Sequence, residues 1–232
     1  MQKLNSLACL IRHARSAYRW WLVVLMTGGM LAAAVNAETK DSVEMPAQTT
    51  TSEMSTRAGA LKAASSALAE IVNYRQYSPF FASSGQPARE QFESLKAAGF
   101  DRIVYIAFSH NGRAISDEDK LVKELGMGYL HIPVDFDNPQ IDEFETFATY
   151  LLGAPDKKTL LHCQVNYRAT AFSFLYRVIY DGVAVAEAKA DMNTVWQPDA
   201  VWRDFIFAVL DDHDISPVCE GCDWTPPVPT SS

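Results

Sequence analysis

Basic residues are scarce in this chain. Over 232 residues, 20 Lys and Arg stand against 28 Asp and Glu, a formal net charge of −8. That balance argues against nucleic acid or an anionic membrane as the main partner. The only extended apolar run, Trp20 to Val35, is broken by Thr27-Gly28-Gly29 and falls short of the roughly 20 residues that span a bilayer. Internal repeats are absent. Only 4 cysteines are present, too few for a disulfide scaffold at this length. A structural zinc site wants four ligands, and only His213 and Asp223 lie near Cys219 and Cys222.

What remains is an ordinary globular composition, 48% hydrophobic and 21% charged, with room for one real core. The N-terminus stands apart. Lys3, Arg12, Arg15 and Arg19 precede the apolar run, which ends in Val35-Asn36-Ala37. This is the basic, apolar and small-residue succession of a secretory signal peptide over residues 1–37, with an uncleaved inner-membrane anchor as the alternative. The address implied is the periplasm, with membrane contact only if the segment is retained. The segment carries four basic and no acidic residues, so its removal makes the remainder more acidic still. Residues 38–60 read as a Thr-, Ser- and Ala-rich tether, 61–215 as one domain, and 216–232 as an irregular Pro-rich tail. In an oxidising compartment Cys219 and Cys222 are expected to form a local disulfide; a metal clip or a redox partner for Cys163 are the other readings.

Within the domain, short apolar runs alternate with helical patterns. Strands are expected at 70–74, 79–83, 102–108, 129–134 and 158–162. Helices are expected through Phe92, Leu95 and Ala98, then over 117–125, 143–152, from Ala171 to Tyr180, 183–194 and 200–211. The alternation predicts an α/β fold with a mostly parallel sheet covered on both faces. In such sheets ligands bind beyond the carboxyl ends of the strands, where the loops after Leu161 and Val134 would lie.

The first of those loops carries the chemistry. The strand Thr159-Leu160-Leu161 leads through His162-Cys163-Gln164-Val165-Asn166-Tyr167-Arg168-Ala169-Thr170 into an apolar helix. A strand, a tight loop and a helix N-terminus form an anion-binding device, because backbone N–H groups and the helix dipole point into the loop. The same field favours a thiolate at Cys163, the nucleophilic form. Arg168 adds a planar fork that grips two oxygens of a phosphate-like group, unless it serves as a salt bridge tying down the helix start. His162 is read as holding the loop through hydrogen bonds, or as a satisfied core histidine. Thr170 is read as a hydroxyl donor to the leaving thiolate, or as a helix cap.

On these residues the chain resembles the cysteine-dependent phosphatases of the dual-specificity type, and more closely their bacterial phosphatase-like and beta-lactamase-hydrolase-like relatives. The likeness covers about Ile71 to Val209 and rests also on Asn73-Tyr74, on Ser84-Gly85-Gln86-Pro87 and on His131 to Pro139. The usual signature places five residues between Cys and Arg; here Gln164 to Tyr167 are four, as in many of the bacterial relatives. Asn166 stands where the usual mid-loop glycine would be, and Asn is the non-Gly residue that best tolerates a left-handed backbone. The resemblance implies that Gln164, Val165, Asn166, Tyr167 and Arg168 cradle the phosphate. It also implies a general acid in the loop after Val134, where Asp135 and Asp137 both stand; Asp137-Asn138-Pro139 also reads as a turn, which favours Asp135 slightly. Gln86 is a further candidate from its turn. The substrate implied is a phosphorylated protein or a small phosphate ester, handled without metal or other cofactor. Two alternatives remain: a sulfurtransferase or persulfide-handling protein, suggested by the short loop, and a weakly catalytic anion-binding module.

If the N-terminal reading holds, protein recovered from the periplasm begins near Glu38 by N-terminal sequencing. Full-length chain retained in the inner membrane would show that the segment is an anchor.

Overall fold

A computed structural model describes residues 51–227. The expected signal segment, the first part of the expected tether and the last five residues lie outside the described residues. The elements follow in the order α1 (Thr51–Ala69), β1 (Arg75–Ser78), β2 (Phe81–Ser84), α2 (Gln91–Ala97), β3 (Arg102–Tyr105), α3 (Glu118–Glu124), β4 (Gly128–His131), α4 (Ile141–Leu152), β5 (Thr159–His162), α5 (Tyr167–Ile179), α6 (Val185–Asn193) and α7 (Ala200–Asp212). The strands form one sheet in the order β1-β2-β5-β3-β4. β1 is antiparallel to β2, and every other pairing is parallel. The mostly parallel α/β architecture is therefore as expected.

Period-two alternation explains how four-residue strands feed two cores. In β3, Ile103 and Val104 are both fully buried but point to opposite faces; Leu160 and Leu161 do the same in β5. One face packs Ile103 and Leu160 against Phe92, Leu95, Phe100, Val122 and Leu68 of the α1, α2 and α3 side. The other packs Val104 and Leu161 against Phe144, Phe147, Phe172, Trp202 and Phe205 of α4, α5 and α7. With both faces covered, these strands read as continuous apolar runs rather than as alternating ones.

Several boundaries differ from the sequence expectation, each for a local reason. Residues 70–74 are a turn instead of a strand: Tyr74 N–H donates to the Ile71 carbonyl (3.1 Å), and Asn73 is left-handed at φ 52°. The antiparallel partner of β2 is consequently β1, after that turn. β4 stops at His131 because Pro133 has no N–H to donate, and Val134 N–H turns back to the Ile132 carbonyl. α1 begins at Thr51, so the last ten residues read as tether are helical; Glu53, Met54, Ala58 and Ala60 are good helix formers. α5 begins at Tyr167, earlier than Ala171, which puts Arg168 in its first turn.

The tail has no helix or strand, as expected, but it is held. Cys219 and Cys222 form a disulfide. Trp224 packs on Phe174 and Phe207, and its Nε1 donates to the Pro217 carbonyl (3.0 Å). Among the described residues no helix is long and apolar enough to cross a membrane.

The C-terminal end of α4 is closed by an arginine from the sheet. Arg102, 6% exposed, donates to the carbonyls of Tyr150 (2.8 Å), Leu151 (3.2 Å) and Ala154 (2.9 Å) and to Thr159 Oγ1 (2.5 Å). The Leu151 and Ala154 carbonyls also accept backbone N–H groups, from Ala154 (3.2 Å) and Lys157 (3.1 Å), so Arg102 adds a second bond there and supplies the bond to the Tyr150 carbonyl. Replacing Arg102 by Met is expected to lower stability by about 1–3 kcal/mol, the cost of leaving the Tyr150 carbonyl unpaired. A urea titration should show a lower midpoint with an unchanged slope.

Candidate active site

β5 lies between β2 and β3, and the strands are in register at their ends. Ser84 and Tyr105 are both opposite His162, and Tyr105 is also opposite His131. The carboxyl ends of four strands therefore meet one edge of the sheet, with the chain leaving β5 at its middle. The order of connections reverses there, because β2 leads to β3 through α2 while β5 is inserted between them. That is where an open α/β sheet leaves a crevice.

Beyond His162 the loop is fastened on both sides. Cys163 N–H donates to the Ser84 carbonyl (3.3 Å), and Gln86 N–H donates to the Gln164 carbonyl (3.1 Å). Asn73 Nδ2 donates to the Val165 carbonyl (2.9 Å), and Asn166 Nδ2 returns a bond to the Asn73 carbonyl (2.6 Å). Asn166 is left-handed at φ 75°, the backbone state anticipated where a mid-loop glycine is missing. Its carbonyl accepts from Thr170 N–H (2.8 Å), the first bond of α5. The N–H groups of Tyr167, Arg168 and Ala169 thus have no acceptor within the helix and are presented to the loop.

Cys163 is a free thiol at the floor of this loop, 1% exposed. Arg168 is 7% exposed, and among the described residues no carboxylate forms a salt bridge with it; its Nε has no hydrogen-bond partner at all. The structural salt bridge considered for Arg168 is therefore not what it forms here. Its guanidinium lies instead over the Phe136 ring, 5.1 Å from the centroid. A nearly buried cation without a carboxylate is costly unless an anion completes it.

Phe136 also ties the aspartate loop to the site. It packs on Trp196 (5.8 Å) and Trp202 (5.6 Å), and its carbonyl accepts from Trp202 Nε1 (2.9 Å). Asp135 and Asp137 are exposed on either side of it in the chain. Asp135 Oδ1 accepts from Asp137 N–H (3.0 Å), which closes a local turn. The Asp137 carboxylate has no such bond among the described residues. Tyr167 stacks on Trp196 (5.0 Å, 8° between planes), so aromatic rings border the crevice.

His162 is fully buried. Its Nε2 meets Glu118 Oε1 at 3.0 Å, and its ring stacks on Tyr105 at 4.7 Å. Glu118 also accepts from Gln86 Nε2 (2.5 Å). Burial pushes the Glu118 carboxyl up, but the charge of His162 and the hydrogen bonds from His162, Gln86 and Tyr129 hold it below the usual carboxylate range. Burial also pushes the Tyr105 phenol up, to about 12, so it stays protonated. Thr170 lies inside α5 and is no cap; its hydroxyl is 3.3 Å from Tyr77 Oη, which reaches on to Ser83 Oγ (2.9 Å). His131 Nε2 is bonded to the Ala107 carbonyl (2.7 Å) and its ring stacks on Tyr105.

Three residues at the site were assigned no role from the sequence. Glu118 is one of the acids in the first turn of a helix, where the dipole favours them; Phe136 and Trp196 carry no local mark of a site. Only the fold shows Glu118 against His162, Phe136 against Arg168 and Trp196 against Tyr167.

No family model matches the chain, and no curated protein does. Solved structures do. A phosphatase-like protein of the DUF442 family from Shewanella putrefaciens CN-32 is 32% identical, with 64% of this chain and 97% of that one covered and a TM-score of 0.59. The chain belongs to this family of cysteine-phosphatase-like proteins. Its fold is shared more distantly with the core catalytic domain of the PP-IP phosphatase SIW14 from S. cerevisiae, at 14% identity, 60% and 86% coverage and a TM-score of 0.52. It is shared likewise with Tk-PTP in its active form, at 20% identity, 61% and 96% coverage and a TM-score of 0.50.

Gly85 is the tightest point of this DUF442-family cradle. A Cβ built there would lie 3.0 Å from the Gln164 carbonyl oxygen, 3.0 Å from Val165 Cα and 3.0 Å from Val72 Cβ. Two of these are backbone atoms of the loop itself. Gly85→Ala is expected to displace the loop and weaken binding of inorganic tungstate by about tenfold or more, as misplacement of donors by ~1 Å does. Titration calorimetry checks it; unchanged affinity would show that the loop does not depend on this contact.

Proposed function

We propose that this protein is an exported phosphatase that hydrolyses phosphate monoesters through a phosphocysteine at Cys163. The observation that carries this reading is Arg168, nearly buried, free of any carboxylate among the described residues, and in the first turn of the helix that follows the cysteine loop. Its guanidinium and the N–H groups of the loop and first turn form a cavity of donors for a phosphoryl group whose charge grows in the transition state.

In the first step the Cys163 thiolate attacks phosphorus, the bond from phosphorus to the ester oxygen breaks, and the leaving oxygen takes a proton from an aspartic acid. In the second, water attacks the phosphocysteine, gives its proton to the same aspartate, and the sulfur–phosphorus bond breaks to release inorganic phosphate and the thiolate. Of the two candidates we assign the proton to Asp137, whose carboxylate is not engaged in the local turn, and give Asp135 the task of closing that turn. The aromatic border of Tyr167, Phe136 and Trp196 suits an aryl ester such as a tyrosine phosphate. The basic-then-apolar start of the chain supports export to the periplasm.

The short loop supports slow turnover. One residue fewer between Cys163 and Arg168 means one backbone donor fewer, and each donor is worth on the order of 10²-fold in rate. Aryl phosphate hydrolysis is expected to be measurable, inhibited by vanadate and indifferent to chelators. Cys163→Ser should abolish turnover while keeping tungstate binding, and Arg168→Ala should impair both by about 10²-fold or more. Asp137→Asn should slow turnover more than Asp135→Asn does. A parent protein that leaves aryl phosphates intact but transfers sulfur from thiosulfate to cyanide is a sulfurtransferase instead.

A further inference from the structure

The tail beyond α7 runs back to the loop at which that helix begins. α7 closes at Asp212, and Ile215 N–H donates to the Leu210 carbonyl (2.9 Å) as the chain reverses. The Cys219–Cys222 disulfide then closes a tight turn, in which Cys222 N–H donates to the Cys219 carbonyl (3.1 Å). Trp224 follows and sits against three helices. Its ring meets Phe174 of α5 (5.7 Å) and Phe207 of α7 (5.2 Å), and Lys189 Nζ of α6 lies 4.7 Å from its centroid. Its indole N–H bonds back across the turn to the Pro217 carbonyl (3.0 Å). One residue later, the Thr225 carbonyl accepts from Gln197 Nε2 (2.7 Å). The disulfide restricts the conformations open to this turn before it docks, which favours the docked state.

Gln197 directly follows Trp196 in the loop between α6 and α7. That loop is fastened at its start by Arg75 of β1, which donates from Nε to Thr194 Oγ1 (3.0 Å) and from Nη2 to the Thr194 carbonyl (3.3 Å). At its end Asp199 caps α7 by accepting from Trp202 N–H (3.0 Å). The Trp196 ring stacks on Tyr167 (5.0 Å) and packs on Phe136 (5.8 Å), and Phe136 lies under the Arg168 guanidinium (5.1 Å). Tyr167 and Arg168 are neighbours in the chain, so the four side chains close a circuit that sets Trp196 beside the anion loop. We propose that the disulfide-closed tail is a brace for this aromatic wall: through Gln197, a positioning residue, it holds Trp196 where the aromatic group of a substrate lies against it. The proposal rests on the reading of the site as one for aryl phosphates. It gives the tail a part in affinity for the ring and none in affinity for the phosphoryl group, because the cradle is fastened separately, through Asn73, Ser84 and Gln86.

The test is titration calorimetry on the full chain with phenylphosphonate, which carries a ring, and tungstate, which does not. Gln197→Leu removes the donor and keeps the bulk. Cys219→Ser together with Cys222→Ser opens the turn. Either change is expected to weaken phenylphosphonate by about three- to tenfold, the worth of one hydrogen bond, and to leave tungstate binding unchanged. Equal weakening of both ligands, or of neither, in the folded variants overturns the proposal. The first outcome would make the tail a support of the whole domain, the second a mere cover for α5 and α7. If the paired serine variant does not fold, Gln197→Leu decides alone. Amide hydrogen exchange supplies a readout that needs no ligand. The Val195 and Trp196 N–H groups both donate to the Met192 carbonyl (3.0 Å each), and their exchange should quicken in both variants. Unchanged exchange also overturns the brace. A parent protein that binds phenylphosphonate no better than methylphosphonate would count against the aryl reading, and the exchange rates would still decide whether the tail holds Trp196.

Discussion

The guanidinium of Arg168 sits almost out of solvent, and among the described residues no carboxylate forms a salt bridge with it and its Nε has no hydrogen-bond partner. Proteins rarely hold a charge in that state, because desolvation costs several kcal/mol unless a counter-ion or dense hydrogen bonding offsets it. Much of the molecule around it can be understood as the frame that makes this tolerable. β5 is placed in the middle of the sheet, so the loop after it is supported by the ends of β2 and β3. Phe136 places an aromatic face under the guanidinium. α5 starts early enough to carry Arg168 in its first turn, where it joins the unpaired N–H groups of the helix.

The loop itself is rigid for reasons spread over distant parts of the chain. Two left-handed asparagines, Asn73 and Asn166, hydrogen-bond each other's segments across 93 residues of sequence. Gly85 lets the β2–α2 turn approach the loop backbone as closely as a missing side chain permits. These contacts fix carbonyls away from the cradle and leave N–H groups facing inward, which is what an anion requires. A buried Glu118–His162 pair completes the arrangement on the side away from solvent.

Much of this was legible in the sequence. Cys163 and Arg168 could be singled out as candidates because a cysteine and an arginine in one strand-to-helix turn suit an anion site. Asn166 could be assigned its backbone state because few non-glycine residues accept it. The helices after α1 were legible to within a few residues, since their apolar spacing and their glycine stops are local properties. Strand limits were read less well. Residues 70–74 have the composition of a strand but turn at Asn73, and β4 ends two residues before Pro133, whose missing N–H cannot extend the pairing.

What the sequence by itself determined was the set of candidate groups for an anion site and the class of fold, since both rest on residue chemistry and on local periodicity. Only the tertiary structure decided which neighbours those groups meet. Glu118 is 44 residues from His162 along the chain, and Phe136 is 32 from Arg168. No local pattern encodes such pairs, because they arise when parallel strands joined by helical crossovers bring their carboxyl ends to one edge. A local turn then distinguishes Asp135 from Asp137: the Asp135 carboxylate accepts from Asp137 N–H, and the Asp137 carboxylate makes no such bond among the described residues.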